Sequence, residues 1–135
     1  MFHFGETSKR NLMTCHSDIQ AVFFEVIEGY DCSVICGWRG KDLQNYLFRS
    51  NLSEKEWPNS KHNNVNEGGI LSLAADVAPY PVDWKDTKRF YHFGGYVKGI
   101  ARSLGIRIVW GGDWDSDNDL NDQKLFDLGH FELVK

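Results

Sequence analysis

With 135 residues, 41% hydrophobic, 25% charged and 14% aromatic, the chain has the size and composition of one globular domain with a sizeable core, and disorder is excluded. A formal net charge of -4 and a pI near 5.7 exclude a phosphate-tracking surface, so nucleic acid is not an expected partner. The longest apolar runs, such as residues 21–24 and 33–36, are far short of the roughly 20 residues of a membrane span, which excludes membrane insertion.

In chain order, the segment Met1-Phe2-His3-Phe4-Gly5-Glu6 has neither the basic leader nor the apolar stretch of a signal peptide, so synthesis in a cytoplasm is expected. Ser8 is expected to cap a short helix. Ser17 is expected to cap another running to about Glu28, with Ile19, Val22, Phe23, Val26 and Ile27 at helical spacing and Gly29 at its end. Residues 32–38 read as a buried strand around Val34 and Ile35, and residues 42–49 as a helix with Leu43, Tyr46 and Leu47 on one side. Residues 51–69, rich in Asn, Ser, Glu and Gly, read as a long surface loop, and residues 73–77 as a second strand. Asp86 is a suitable cap for the most regular helix, whose core face carries Phe90, Phe93, Val97, Ile100, Ala101 and Leu104 before Gly105 stops it. Residues 106–110 form a third expected strand, 111–123 an acidic loop and 130–134 a last strand. That order predicts an α+β single domain over residues 1–135, with a small, largely antiparallel sheet packed with helices. Cys15, Cys32 and Cys36 are odd in number with no Cys-x-x-Cys pair, and read as small buried hydrophobes.

Chemistry concentrates at His62, Asp76 and His130. An aspartate inside an apolar strand is costly to bury unless it is paired or ligates a cation, and two histidines with one carboxylate make the three-ligand set of a catalytic zinc. The spacing alone fits equally an Asp76 hydrogen-bonded to backbone at a strand end, with surface histidines.

The motifs go further together. Ser60-Lys61-His62, then Ala74-Ala75-Asp76-Val77-Ala78-Pro79-Tyr80, then Trp110-Gly111-Gly112-Asp113-Trp114, then Asp127-Leu128-Gly129-His130-Phe131-Glu132-Leu133, resemble the zinc metallopeptidases that include D-alanyl-D-alanine carboxypeptidases and phage L-alanyl-D-glutamate endolysins. Phe4-Gly5-Glu6-Thr7-Ser8 and Tyr30-Asp31-Cys32-Ser33-Val34, with Gly37-Trp38-Arg39, extend the resemblance over nearly the whole chain. It implies that His62, Asp76 and His130 bind Zn²⁺, that Asp127 is the catalytic acid/base, and that Arg39 lies near the substrate carbonyl. Glu132, two residues beyond His130 on the same strand face, is expected to orient a ligand. The chain departs from the family in one respect: thirteen residues, 63–75, separate His62 from Asp76, where relatives commonly have a short gap.

Among the remaining candidates, His3, His16 and His92 read as surface or helix-face residues, and Trp38, Trp84, Trp110 and Trp114 read first as core or rim packing, with Trp110 and Trp114 kept as cleft candidates. Asp113, Asp115, Asp117, Asp119 and Asp122 alternate like the oxygen ligands of a calcium loop, but without its glycine and closing glutamate; a solvated acidic turn is the competing reading. The expected function is zinc-dependent cleavage of a stem-peptide amide of bacterial peptidoglycan, L-alanyl-D-glutamate first, by a monomer that reaches the wall from the host cytoplasm after holin-type release. The alternatives are a D-alanyl-D-alanine carboxypeptidase or dipeptidase, and a non-catalytic wall-binding or virion domain.

Overall fold

Among the described residues, which in this computed structural model are 1–122 and 126–135, there are four α-helices, of which the two long ones combine helical spacing of apolar residues with a side-chain cap. In chain order the elements are α1 (Glu6–Leu12), α2 (Ser17–Gly29), β1 (Cys32–Cys36), α3 (Lys41–Arg49), a 3-10 turn (Lys61–Asn63), β2 (Val65–Asn66), β3 (Gly69–Ile70), β4 (Ala74–Pro79), α4 (Thr87–Ser103), β5 (Ile108–Trp110) and β6 (His130–Leu133). β1, β4, β6 and β5 form one sheet in that order, and every neighbouring pair is antiparallel. The α+β expectation holds.

α2 and α4 pack on one another and on one face of this sheet. Val22, Phe23 and Val26 of α2 and Phe93, Val97 and Ala101 of α4 meet Val34, Ala75, Val77, Phe131 and Leu133 of the strands in one buried core. The Phe131 ring meets Phe23 and Phe93 edge-on at 5.5 and 6.0 Å between centroids, the favoured aromatic geometry. Gly94 is required here, since a Cβ at this position would lie 2.3 Å from the Trp110 indole. Asp86 caps α4 as its sequence predicts, accepting from the Arg89 amide.

Several local expectations are corrected. Gly5, not Ser8, precedes α1; the Ser8 hydroxyl accepts instead from the Val34 amide and ties α1 to β1. His16 rather than Ser17 caps α2, its Nδ1 accepting from the Asp18 amide at 3.0 Å. On α3 the apolar side faces outward, with Leu43 and Tyr46 exposed, while Gln44 is fully buried, because the helix docks through a polar network. Residues 51–69 are not featureless: they contain the 3-10 turn, and the β2–β3 hairpin occupies the enlarged interval between His62 and Asp76. The acidic loop expected over residues 111–123 is described as far as Asp122, its last residue lying outside the described residues.

Candidate metal and catalytic site

One row of the sheet builds most of the site. Asp76 of β4 pairs with His130 of β6 on one side and with Cys36 of β1 on the other. A register shift between Val34 and Cys36 sets two β1 residues against one on β4, so the row of Cys36, Asp76 and His130 lies across three adjacent strands. Val77 and Val34, the next pair, are buried in the core.

His62 arrives from outside the sheet. Ser60 caps the 3-10 turn, accepting from the His62 amide, while the Asn63 side chain returns a bond to the Ser60 amide. The His62 carbonyl accepts from the Arg39 amide at 2.8 Å. Nδ1 of His62 lies 2.7 Å from the Gly37 carbonyl, which only accepts, so this nitrogen donates. That leaves Nε2 of a 1% exposed ring at 3.3 Å from Asp76 Oδ1, yet without a hydrogen bond.

His130 is fixed by the same logic. Its Nε2 lies 2.8 Å from Glu132 Oε1, whose pKa lies below the ordinary value because contacts with His130 and Lys61 outweigh burial; the ionised carboxylate accepts and Nε2 donates. Nδ1 then faces Asp76 Oδ1 at 3.3 Å. Two ring nitrogens therefore aim lone pairs at one carboxylate oxygen, and only protons or a metal cation between them make the arrangement attractive. Imidazole and carboxylate donors suit zinc, so the residues present fit that ion.

Without a metal, protons take its place. Burial opposes charge on His62, but the neighbouring Asp76 carboxylate and Cys36 thiol outweigh it and raise the pKa to about 9. His130 is raised in the same way by Asp76 and Glu132 against burial, and the two histidines hold Asp76 far below the usual carboxylate range despite its burial. Desolvation and the charge of Asp76 raise the pKa of Asp127, the direction that suits a proton shuttle near neutral pH.

Asp127 lies on the turn into β6. Its carbonyl accepts from the His130 amide at 3.0 Å and its amide donates to the Gly111 carbonyl at 2.9 Å. A Cβ on Gly111 would lie 2.0 Å from the Asp127 carbonyl, so the Trp-Gly-Gly motif permits this close approach. Asp76, Asp127 and His130 each bring one donor atom within 4.8 Å of the others, and so do Cys36, His62 and Asp76.

Arg39 is nearly buried and well occupied. It donates to Asp76 Oδ2 at 2.9 Å, to Gln44 Oε1 at 3.0 Å and to Cys36 Sγ at 3.4 Å. A guanidinium has five N–H donors, so two remain for a ligand. Arg39, His62, Trp114, Asp127 and His130 line a cleft of about 630 Å³, with Leu52 and Phe126 among its apolar residues. Trp114 tilts over the His130 ring at 5.4 Å. Trp110, by contrast, is a core residue at 2% exposure whose indole N–H donates to the Leu128 carbonyl, so of the two cleft candidates only Trp114 lines the cleft.

Sequence reasoning missed Cys36 and Gln44. Gln44 Oε1 accepts from both Arg39 and Asn63, and its amide donates to Ser53. Its sole signal was a polar residue between the apolar positions of an amphipathic helix. Of the remaining histidines, His92 bonds the Tyr30 hydroxyl at 2.9 Å.

The acidic loop divides. Asp113, Asp115 and Asp117 group together, Asp113 being fully buried with Oδ1 unpartnered and Oδ2 bonded to Lys98 at 2.9 Å. Asp122 lies against Asp117, and sharing a proton between them, the largest cause, raises Asp117 to about 6. Asp119 is outside the group and accepts from the Asn121 amide, as Asp117 does from the Asp119 amide. Such turns explain the alternation of aspartates in backbone terms.

Known proteins similar to this chain are L-alanyl-D-glutamate peptidases. The family model for phage L-alanyl-D-glutamate peptidase matches residues 1–134. The L-alanyl-D-glutamate peptidase of Escherichia phage T5 is 30% identical over 143 residues, covering 98% of this chain and 98% of that protein. The crystal structure of the Serratia marcescens L-Ala D-Glu endopeptidase ChiX superposes with a TM-score of 0.73 at 25% identity, covering 98% of this chain and 90% of the other.

Proposed function

The chain belongs to the phage L-alanyl-D-glutamate peptidase family, and on that premise we propose that it hydrolyses the L-alanyl-D-glutamate bond of peptidoglycan stem peptides, using a zinc ion held by His62, Asp76 and His130. The observation that carries the metal is the buried, unpartnered Nε2 of His62 facing an oxygen that His130 Nδ1 also faces. When bound, zinc supplies a Lewis acid and lowers the pKa of water to about 7. Asp127 accepts the proton of the attacking water and returns one to the leaving amine. Arg39 holds Asp76 in place and offers its two uncommitted N–H groups to the oxygen of the scissile carbonyl. The β2–β3 hairpin takes up the enlarged interval while His62 Nε2 lies 3.3 Å from Asp76 Oδ1, which supports reading the two residues as one ligand set.

The protein is read as a monomer that acts on the wall after release from the host cytoplasm. Digestion of isolated sacculi, with and without chelator, tests this reading. Chelator-sensitive products with a new free D-glutamate amine are expected; release of D-alanine would identify a carboxypeptidase, and no release a binding domain.

The buried, unpartnered Asp113 Oδ1 favours a second cation among Asp113, Asp115 and Asp117, as in a calcium loop. Millimolar Ca²⁺ is expected to raise the melting temperature, and Asp115→Asn with Asp117→Asn to remove the response. No shift at low ionic strength would return the loop to a set of aspartate-capped turns.

A further inference from the structure

Cys36 is part of the same row as Asp76 and His130, placed there by the irregularity in β1. Its sulfur, one His62 ring nitrogen and one Asp76 oxygen lie within 4.8 Å of one another. The adjacent Gly37 carbonyl fixes the His62 tautomer, so the Cys36-Gly37 dipeptide both orients this histidine and brings a sulfur to it. The His62 Nε2 left over by that bond is buried and makes no hydrogen bond, although it lies 3.3 Å from Asp76 Oδ1. Arg39 Nε donates to the sulfur at 3.4 Å, a contact that a thiolate would strengthen, and in the thiol form the sulfur can donate to the Gly37 carbonyl at 3.6 Å.

We propose that Cys36 is a further protein donor to the metal site, forming with His62 and Asp76 a set that favours soft, thiophilic cations and closes a coordination position in the resting protein. This rests on the metal-site reading above. Sulfur ligation exchanges one donor for another: the thiol proton leaves to solvent as the metal–sulfur bond forms, and no electron is transferred. Thiolate donors select softer ions than an imidazole and carboxylate set does. Because a catalytic zinc keeps one position open, a sulfur in that position must yield to substrate, so the resting and working sites differ in one ligand.

The full chain loaded with Co²⁺ gives a direct readout. The wild type is expected to show visible d–d bands together with a near-ultraviolet sulfur-to-cobalt charge-transfer band, and Cys36→Ser only the former. Cd²⁺ affinity is expected to fall by about tenfold or more in Cys36→Ser, with a much smaller change for Zn²⁺. Thiol labelling checks the wild type independently: Cys15 and Cys32 are buried, so the rapidly reacting thiol is Cys36, and metal is expected to protect it. Visible bands without the charge-transfer band would overturn the sulfur ligand and leave the metal site standing. No visible bands at all would overturn both. Should Cys36→Ser fail to fold, equal labelling rates of wild-type protein with and without metal would still overturn the proposal.

Discussion

Asp76→Ala is expected to abolish zinc binding and wall hydrolysis together, with His62→Ala and His130→Ala close behind. Asp76 is the hub: its Oδ1 faces both histidines at 3.3 Å and its Oδ2 holds Arg39. Removing it leaves two imidazoles and a buried guanidinium without their shared anion, and three protein ligands are the usual minimum for a catalytic zinc. Metal analysis of the purified variants, read against activity on sacculi, checks this; full zinc retention in all three would overturn the ligand assignment.

The same cluster predicts an opposite pH response with and without metal. In the folded, metal-free protein His62 is raised from the ordinary 6.5 to about 9. A raised folded pKa contributes stability that is complete below about 6.5 and is lost as pH rises through about 9. The melting temperature of chelated protein is therefore expected to fall over that interval. Zinc, which must displace those protons, is expected to bind more tightly across the same interval. Calorimetry of chelated and zinc-loaded protein at both ends of the range separates the two trends, and a flat metal-free profile would remove protonated His62 from the explanation.

How far these features can be read from sequence depends on the range of the interactions. Helices α2 and α4 follow from local periodicity and caps, and the sheet from apolar runs bounded by glycine and proline. His62, Asp76, Asp127 and His130 are legible because each sits in a short motif, and the structure brings them together around one carboxylate. Cys36 is not, because its place beside Asp76 depends on a register shift between strands 40 residues apart in sequence, which leaves no local mark. Gln44 fails for a related reason: helical periodicity assigns Leu43 and Tyr46 to the inside, but the groups awaiting α3 are Arg39 and Asn63, which require an amide. Trp110 and Trp114 share one motif and have opposite fates: Trp110 packs on Gly94 in the core, and Trp114 lies against His130 in the cleft.

Asp127→Asn is the substitution expected to separate chemistry from metal binding. The amide keeps the shape of the side chain, and the turn is held by backbone bonds from the Asp127 amide to Gly111 and from the His130 amide to the Asp127 carbonyl, which the change does not touch. Zinc content and melting temperature are therefore expected to stay near wild type, while the rate on sacculi falls by roughly two to four orders of magnitude, the usual worth of general acid/base catalysis. Glu132 is the neighbouring carboxylate to consider as a substitute. Its two oxygens are engaged by His130 and Lys61, and its lowered pKa makes it a poorer base than Asp127, whose pKa is raised. The wild-type pH–rate profile should accordingly show an acid limb above the ordinary carboxylate range, and that limb should vanish in Asp127→Asn. Near-wild-type turnover with zinc retained would transfer the proton-shuttle role to another group, and Glu132→Gln in the Asp127→Asn background would then show whether the second carboxylate carries it.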